Sequence, residues 1–154
     1  MTLGRPVSAA AFRQISGRPD EGIAMTGKRV LVVDDERTVS TLVTRAVESL
    51  GCEAIQSFDG YEAYDLGMRE NFDLALVDMF LPGLLGIEIL SRWQGAARPF
   101  PVIMVSGSNA EDDIVQSLEM GAADYVTKPF RVRELLARIK VQLRHSPSSR
   151  ILDG

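Results

Sequence analysis

Residues 30–39 read "VLVVDDERTV". Four consecutive apolar residues stop abruptly at Asp34, Asp35 and Glu36. An unbroken apolar run of this length is a strand covered on both faces, as in a parallel sheet. Three adjacent acids at its tip repel one another, so something at that tip must compensate them.

Outward from this stretch the same rhythm recurs. Apolar, β-branched runs are "RVLVV" (29–33), "EAIQS" (53–57), "DLALV" (73–77), "PVIMV" (101–105) and "DYVT" (124–127). Helical periodicity fills the gaps, over 38–50, 61–70, 87–93, 111–120 and 131–144. The first of these helices is expected to turn Val39, Leu42, Val43, Ala46, Val47 and Leu50 inward. The last is expected to turn Leu135, Leu136, Ile139 and Leu143 inward, with Arg133, Arg138 and Lys140 on other faces. Gly51 and Gly121 each follow a helix end, as C-terminal glycines do. Five βα units in this length imply an α/β fold: a doubly wound (βα)5 sandwich of the flavodoxin-like kind. Its parallel five-stranded sheet is expected in the order 2-1-3-4-5.

Composition is consistent with one domain. The chain has 154 residues, 45% of them hydrophobic and 25% charged, with a formal net charge of −4. That balance gives no general attraction to nucleic acid, and no direct nucleic-acid contact is expected. The apolar runs are too short to span a bilayer, so no membrane partner is expected. The single cysteine, Cys52, forms no internal disulfide, which fits a reducing cytoplasm. Residues 1–26 are expected to be a disordered tail, with Met25 a candidate natural start. Residues 27–145 form the expected domain. Residues 146–154, "SPSSRILDG", read as a flexible tail or linker carrying no effector of their own, next to a surface His145.

In doubly wound folds ligands bind beyond the carboxyl ends of the strands. The abrupt apolar-to-polar switches all fall on that edge. Asp34 and Asp35 follow the first strand, Asp78 the third, Ser106 the fourth and Lys128 the fifth. Three clustered carboxylates cannot all stay ionised cheaply: either one pKa rises or a cation joins them. A dense oxygen set with room for water suits Mg²⁺. A carboxylate nucleophile, a divalent metal, a lysine and a hydroxyl are parts for phosphoryl transfer onto an aspartate.

The motifs "VVDDE", "LVDMFLPG", "VIMVSG" and "GAADYVTKPF", in this order and each at a strand end, resemble the receiver domain of two-component response regulators. The likeness runs from about Lys28 to Arg144 and is nearest to chemotaxis-type and winged-helix-regulator-type receivers. It implies that Asp78 accepts a phosphoryl group from a sensor histidine kinase or phosphotransfer protein. It implies Mg²⁺ held by Asp34, Asp35, Asp78 and the backbone carbonyl of Phe80. Lys128 would pair with the phosphoryl oxygens, Ser106 would move to hydrogen-bond one of them, and Tyr125 would turn inward behind it. The Lys128–Pro129 bond would be cis. The switched face would be the fourth helix, fifth strand and fifth helix, a candidate homodimer surface on which Asp124 with Arg138 and Glu119 with Lys140 are possible cross-dimer pairs. Enzymatic turnover is not expected beyond self-phosphorylation and slow autodephosphorylation.

Two places depart from the family pattern. Phe80 stands where receivers often have a polar or smaller residue, and it is expected to overhang the site and shield an acyl phosphate from water. The loop "MFLPGLLG" is unusually apolar, and a contiguous exposed set of Phe80, Leu84 and Leu85 would mark a partner contact. Two other readings compete. "DDERT" also resembles a haloacid-dehalogenase-type phosphohydrolase, with Asp34 as nucleophile and Glu36 as the acid. The third reading is a receiver-like scaffold that never takes phosphate.

Overall fold

The structure is a computed structural model, and it describes residues 25–144. The expectations for residues 1–24 and for His145 onward lie outside the described residues. Among the described residues five strands, β1 (Arg29–Val33), β2 (Glu53–Ser57), β3 (Leu74–Val77), β4 (Val102–Ser106) and β5 (Asp124–Thr127), alternate with five helices. These are α1 (Arg37–Ser49), α2 (Gly60–Arg69), α3 (Gly86–Gly95), α4 (Glu111–Glu119) and α5 (Val132–Leu143). All pairings are parallel, and the order is β2-β1-β3-β4-β5, as expected.

Successive strand residues face opposite sides of a sheet, and here both sides are apolar. Val30, Val32, Leu74, Leu76, Ile103 and Val105 join Val47 of α1 and Leu135 and Ile139 of α5 in one core. Leu31, Val33, Ala75, Val77 and Met104 join Ala63 of α2 and Leu90 and Trp93 of α3 in the other. This double cover explains why the β1 run is continuously apolar rather than alternating. Packing in the first core reaches back to Met25, whose carbonyl accepts a weak hydrogen bond from Cys52 Sγ at 3.6 Å.

Several local expectations need correction. The third and fourth strands begin one residue later than expected, at Leu74 and Val102, and Ser106 is the last residue of β4. Asp73 lies just before β3, where its side chain accepts the Arg29 N–H at 2.8 Å. In α1, Leu42 is 41% exposed and Ser40 is buried instead. At about 100° per residue, Ser40 lies nearer the centre of the Val43–Ala46–Val47 stripe than Leu42 does. The Ser40 hydroxyl is satisfied by Gln56 Nε2 at 2.8 Å. Lys140 was expected on an outer face but is only 6% exposed. It sits one turn from Leu136 on the flank of the α5 stripe, where a four-carbon stem can be covered.

Leu84 is also buried, so the exposed apolar set of the β3–α3 loop reduces to Phe80 and Leu85. The cause is the close seating of this loop on α2. Gly60 donates its N–H to the Pro82 carbonyl at 3.1 Å, and a Cβ at Gly60 would overlap the Leu84 backbone. A side chain at position 60 would therefore push the loop away.

Candidate functional site

Backbone ladders continue past the strand ends and set the positions of the acids. Asp34 donates its N–H to the Ser57 carbonyl at 3.2 Å, and Asp78 donates its own to the Val33 carbonyl at 2.9 Å. Both carboxylates thereby lie side by side above the sheet's centre. The Lys128 N–H is fixed to the Ser106 carbonyl at 2.7 Å, which brings the fifth strand's end to the same edge. The Lys128–Pro129 peptide is cis, as the resemblance implied. At Gly86 a Cβ would overlap the Asp78 carbonyl, so the start of α3 can close onto β3 only without a side chain there.

Asp34, Asp35 and Asp78 each present a carboxylate oxygen within 4.8 Å of the other two. Asp34 and Asp78 are buried and Asp35 is exposed, so the cluster opens to solvent on one side. Lys128 Nζ lies 2.9 Å from Asp34 Oδ2, 2.9 Å from Glu36 Oε1 and 3.4 Å from Asp78 Oδ2. Burial pushes the Asp78 carboxyl up from 3.8 to about 6. The Lys128 charge opposes that rise, and the neighbouring Asp34 adds to it. Burial alone would lower the Lys128 ammonium. Hydrogen bonds to Glu36 and Asp34, with the charges of Asp78 and Asp34, outweigh it and hold the group above its ordinary value.

The remaining expected residues stand around this centre. The Phe80 N–H donates to Asp78 Oδ1 at 3.2 Å, and its ring is exposed at the mouth of the site beside Lys128 and Pro129. Ser106 is fully buried, and its hydroxyl accepts the Ser108 N–H at 3.2 Å. The Tyr125 hydroxyl donates to the Ser108 carbonyl at 2.8 Å. The structure thus gathers Asp34, Asp35, Asp78 and Lys128 at one centre, and links Ser106 and Tyr125 to each other through Ser108. The pair Asp124–Arg138 forms within one chain, at 2.9 Å, and Glu134 shares the same guanidinium at 3.0 Å.

Sequence reasoning missed two residues here. Glu36 is given a role in the sequence reading only as the acid of a hydrolase, yet its carboxylate meets Lys128. The signal was its place on the same strand tip as Asp34 and Asp35. Ser108 was not singled out, although a serine two residues past a strand end is a common turn former.

The profile of the response regulator receiver domain family matches residues 30–140. The chain belongs to this family.

Two curated relatives agree with that assignment. One is the alkaline phosphatase synthesis transcriptional regulatory protein PhoP of Bacillus subtilis, 42% identical over 119 residues, 77% of this chain and 50% of the relative. The other is the phosphate regulon transcriptional regulatory protein PhoB of Pseudomonas aeruginosa, 39% identical over 124 residues, 79% of this chain and 54% of the relative. The chain therefore spans about half the length of the curated relatives it matches. Among solved structures, the CheY-like response regulator receiver domain protein of Methanospirillum hungatei superposes with a TM-score of 0.73. It is 31% identical, and the match covers 84% of this chain and all of that one.

The chain is thus a receiver domain of a two-component response regulator, a signalling module. The dehalogenase-like reading of Asp34 is not favoured by any of these relationships. Both relatives are named as transcriptional regulators, so the expectation of no direct nucleic-acid contact concerns this receiver segment alone. Among the described residues, no helix is long and apolar enough to cross a membrane.

Proposed function

We infer that this receiver takes a phosphoryl group on Asp78 from the phosphohistidine of a sensor histidine kinase or phosphotransfer protein. The observation that carries this reading is the meeting of three carboxylates and one ammonium at the sheet's carboxyl edge. The donor set, all carboxylate oxygen with one side open, fits a small hard cation. Asp34, Asp35 and Asp78, with the Phe80 carbonyl, would hold Mg²⁺. When bound, it would supply positive charge to offset the phosphoryl oxygens.

The chain's own residues supply the rest. Asp78 is the nucleophile, a buried carboxylate beside Asp34 and 3.4 Å from the Lys128 ammonium. Lys128 is the compact cation that meets the incoming phosphoryl oxygens. Ser106 leaves the Ser108 N–H to hydrogen-bond one of them. Tyr125, bonded to the same Ser108, carries that movement to the α4–β5–α5 face. Such couplings are worth about 1–3 kcal/mol, so partial activity without phosphate is expected.

The switched face is a candidate homodimer surface. Within the chain, Arg138 is already engaged by Asp124 and Glu134, so a dimer that uses these residues must share or exchange those bonds. A cytoplasmic setting fits a module that receives phosphate from a kinase. The domain is not an enzyme with turnover of its own, apart from self-phosphorylation and slow autodephosphorylation.

The test is incubation with acetyl phosphate and Mg²⁺, comparing wild type with Asp78→Asn on a phosphate-retarding gel, with the labelled residue located by mass spectrometry. Phosphate on Asp78, absent from the variant, is the expected result. Phosphate on Asp34 would restore the hydrolase reading, and no modification in either protein would leave a phosphate-independent scaffold.

A further inference from the structure

Lys128 carries three ammonium hydrogens, and three carboxylates take them up. Its two contacts of 2.9 Å are to Asp34 and Glu36, while Asp78 stands further off at 3.4 Å. Asp34 and Asp78 both have work in the receiver reading. Glu36 has none assigned. Its backbone carbonyl opens α1 by accepting the Ser40 N–H at 2.9 Å, but its side chain makes no capping bond. The carboxylate is free of the helix and reaches 92 positions along the chain to Lys128. The two partners differ sharply in exposure, 61% for the Glu36 side chain against 14% for that of Lys128. A solvent-facing carboxylate therefore draws a nearly buried ammonium toward the rim of the site.

We propose that Glu36 is a positioning residue for phosphoryl transfer, one that holds Lys128 at the rim and competes with phosphoryl oxygens for it. The proposal rests on the reading of Asp78 as phosphoacceptor. Glu36 acts through Lys128, and it sets how readily the ammonium is released to the incoming group. The same carboxylate also adds negative charge at the mouth, which repels an anionic donor over a distance. The two effects separate by chain length. Glu36→Gln removes both the ionic contact and the charge. Glu36→Asp keeps the charge but withdraws the carboxylate by about one C–C bond, roughly 1.5 Å, beyond a good hydrogen bond.

Two readouts test this. The first is the rate of phosphorylation by acetyl phosphate with Mg²⁺, followed by intact mass in wild type, Glu36→Gln and Glu36→Asp. Both variants should react faster by about twofold to fivefold, the range an ion pair with one exposed partner supports. Acceleration of Glu36→Gln alone would mean charge repulsion without positioning, and it would overturn the proposal, as would equal or slower rates. The second readout needs neither phosphate nor metal: the ¹⁵N resonance of the Lys128 ammonium in lysine-labelled protein. It should shift or broaden in both variants, and an unchanged resonance would overturn the proposal. If wild type takes no phosphate on Asp78, the receiver reading fails by itself, and the lysine resonance still judges the contact with Glu36.

Discussion

The two ends of the sheet carry similar charges and use them in opposite ways. At the amino edge Arg29 meets Glu53 at 3.2 Å and Glu70 at 2.9 Å, and donates to the Asn71 carbonyl at 2.8 Å. Its N–H is taken by the Asp73 carboxylate. The hydrogen bond to Glu70 outweighs burial and holds the guanidinium above its ordinary range. The Arg29 charge there is met by two carboxylates, and Asp73 is bonded to the backbone. At the carboxyl edge three carboxylates crowd together, and Asp78 is driven up to about 6 despite the nearby lysine. The lower edge is electrostatically closed. The upper edge is left short of positive charge, which is the condition for a site that takes up a cation and then an anion on its carboxylate.

The largest effect should come from removing the cation that meets Asp34, Glu36 and Asp78. Lys128→Met keeps most of the stem and leaves those carboxylates uncompensated. Without Mg²⁺ at neutral pH, urea unfolding should show a loss of about 2–3 kcal/mol, less than a fully buried broken pair because Glu36 and Asp35 face solvent. Adding Mg²⁺ should restore most of that loss. No response to Mg²⁺ would mean that the upper edge is as closed as the lower.

Next in size is a contrast of opposite signs. Asp78→Asn removes a carboxylate from the crowded edge, and should stabilise the metal-free protein by about 1–2 kcal/mol at pH 7.5. Asp73→Asn weakens the acceptor for the Arg29 N–H at the closed edge, and should destabilise it by about 1 kcal/mol. The pH dependence follows from the direction of the Asp78 shift. Its folded pKa lies above the ordinary value, so the fold favours the protonated acid. That contribution is complete below pH 3.8 and is lost as the pH rises through about 6. Metal-free wild type should therefore lose stability across this window relative to Asp78→Asn, by chemical unfolding at a series of pH values. Parallel profiles for the two proteins would contradict the raised acid.

The asymmetry between the edges was legible in part. The double-faced strand runs and their abrupt polar ends gave the sheet, its order and the carboxyl-edge cluster, because burial on both faces leaves no alternation and the chain must turn polar where cover ends. Asp34, Asp35, Asp78 and Lys128 are thus placed at that edge by the sequence pattern alone. Contacts between distant segments were not legible. Nothing local links Glu36 to Lys128 or Tyr125 to Ser108, since each pair depends on where two loops end in space. Leu42 and Leu84 misled for a related reason. Hydrophobicity marks a residue as able to be buried, but helix angle put Ser40 inward, and the close seating of Gly60 covered Leu84.

The aromatic rings extend the contrast to the smallest effect. At the lower edge Phe72 is buried edge-on against Phe100, with the Arg29 guanidinium over it at 4.9 Å. It is packing. At the upper edge Phe80 is 54% exposed, two residues past Asp78, and lines the mouth of the site. An exposed ring adds little to stability, and the prediction is that this one shields an acyl phosphate on Asp78. The Phe80→Asn variant replaces that apolar cover with a side chain that can hold water by hydrogen bonds. Its stability should stay within about 0.5 kcal/mol of wild type, as for most surface changes. Its phosphorylated form should lose phosphate about twofold to threefold faster, a barrier change of less than about 1 kcal/mol. Loss of phosphate after removal of acetyl phosphate, followed by intact mass, measures this directly. An unchanged lifetime would reduce Phe80 to a tolerated surface ring, and the upper edge would then differ from the lower in its charges alone.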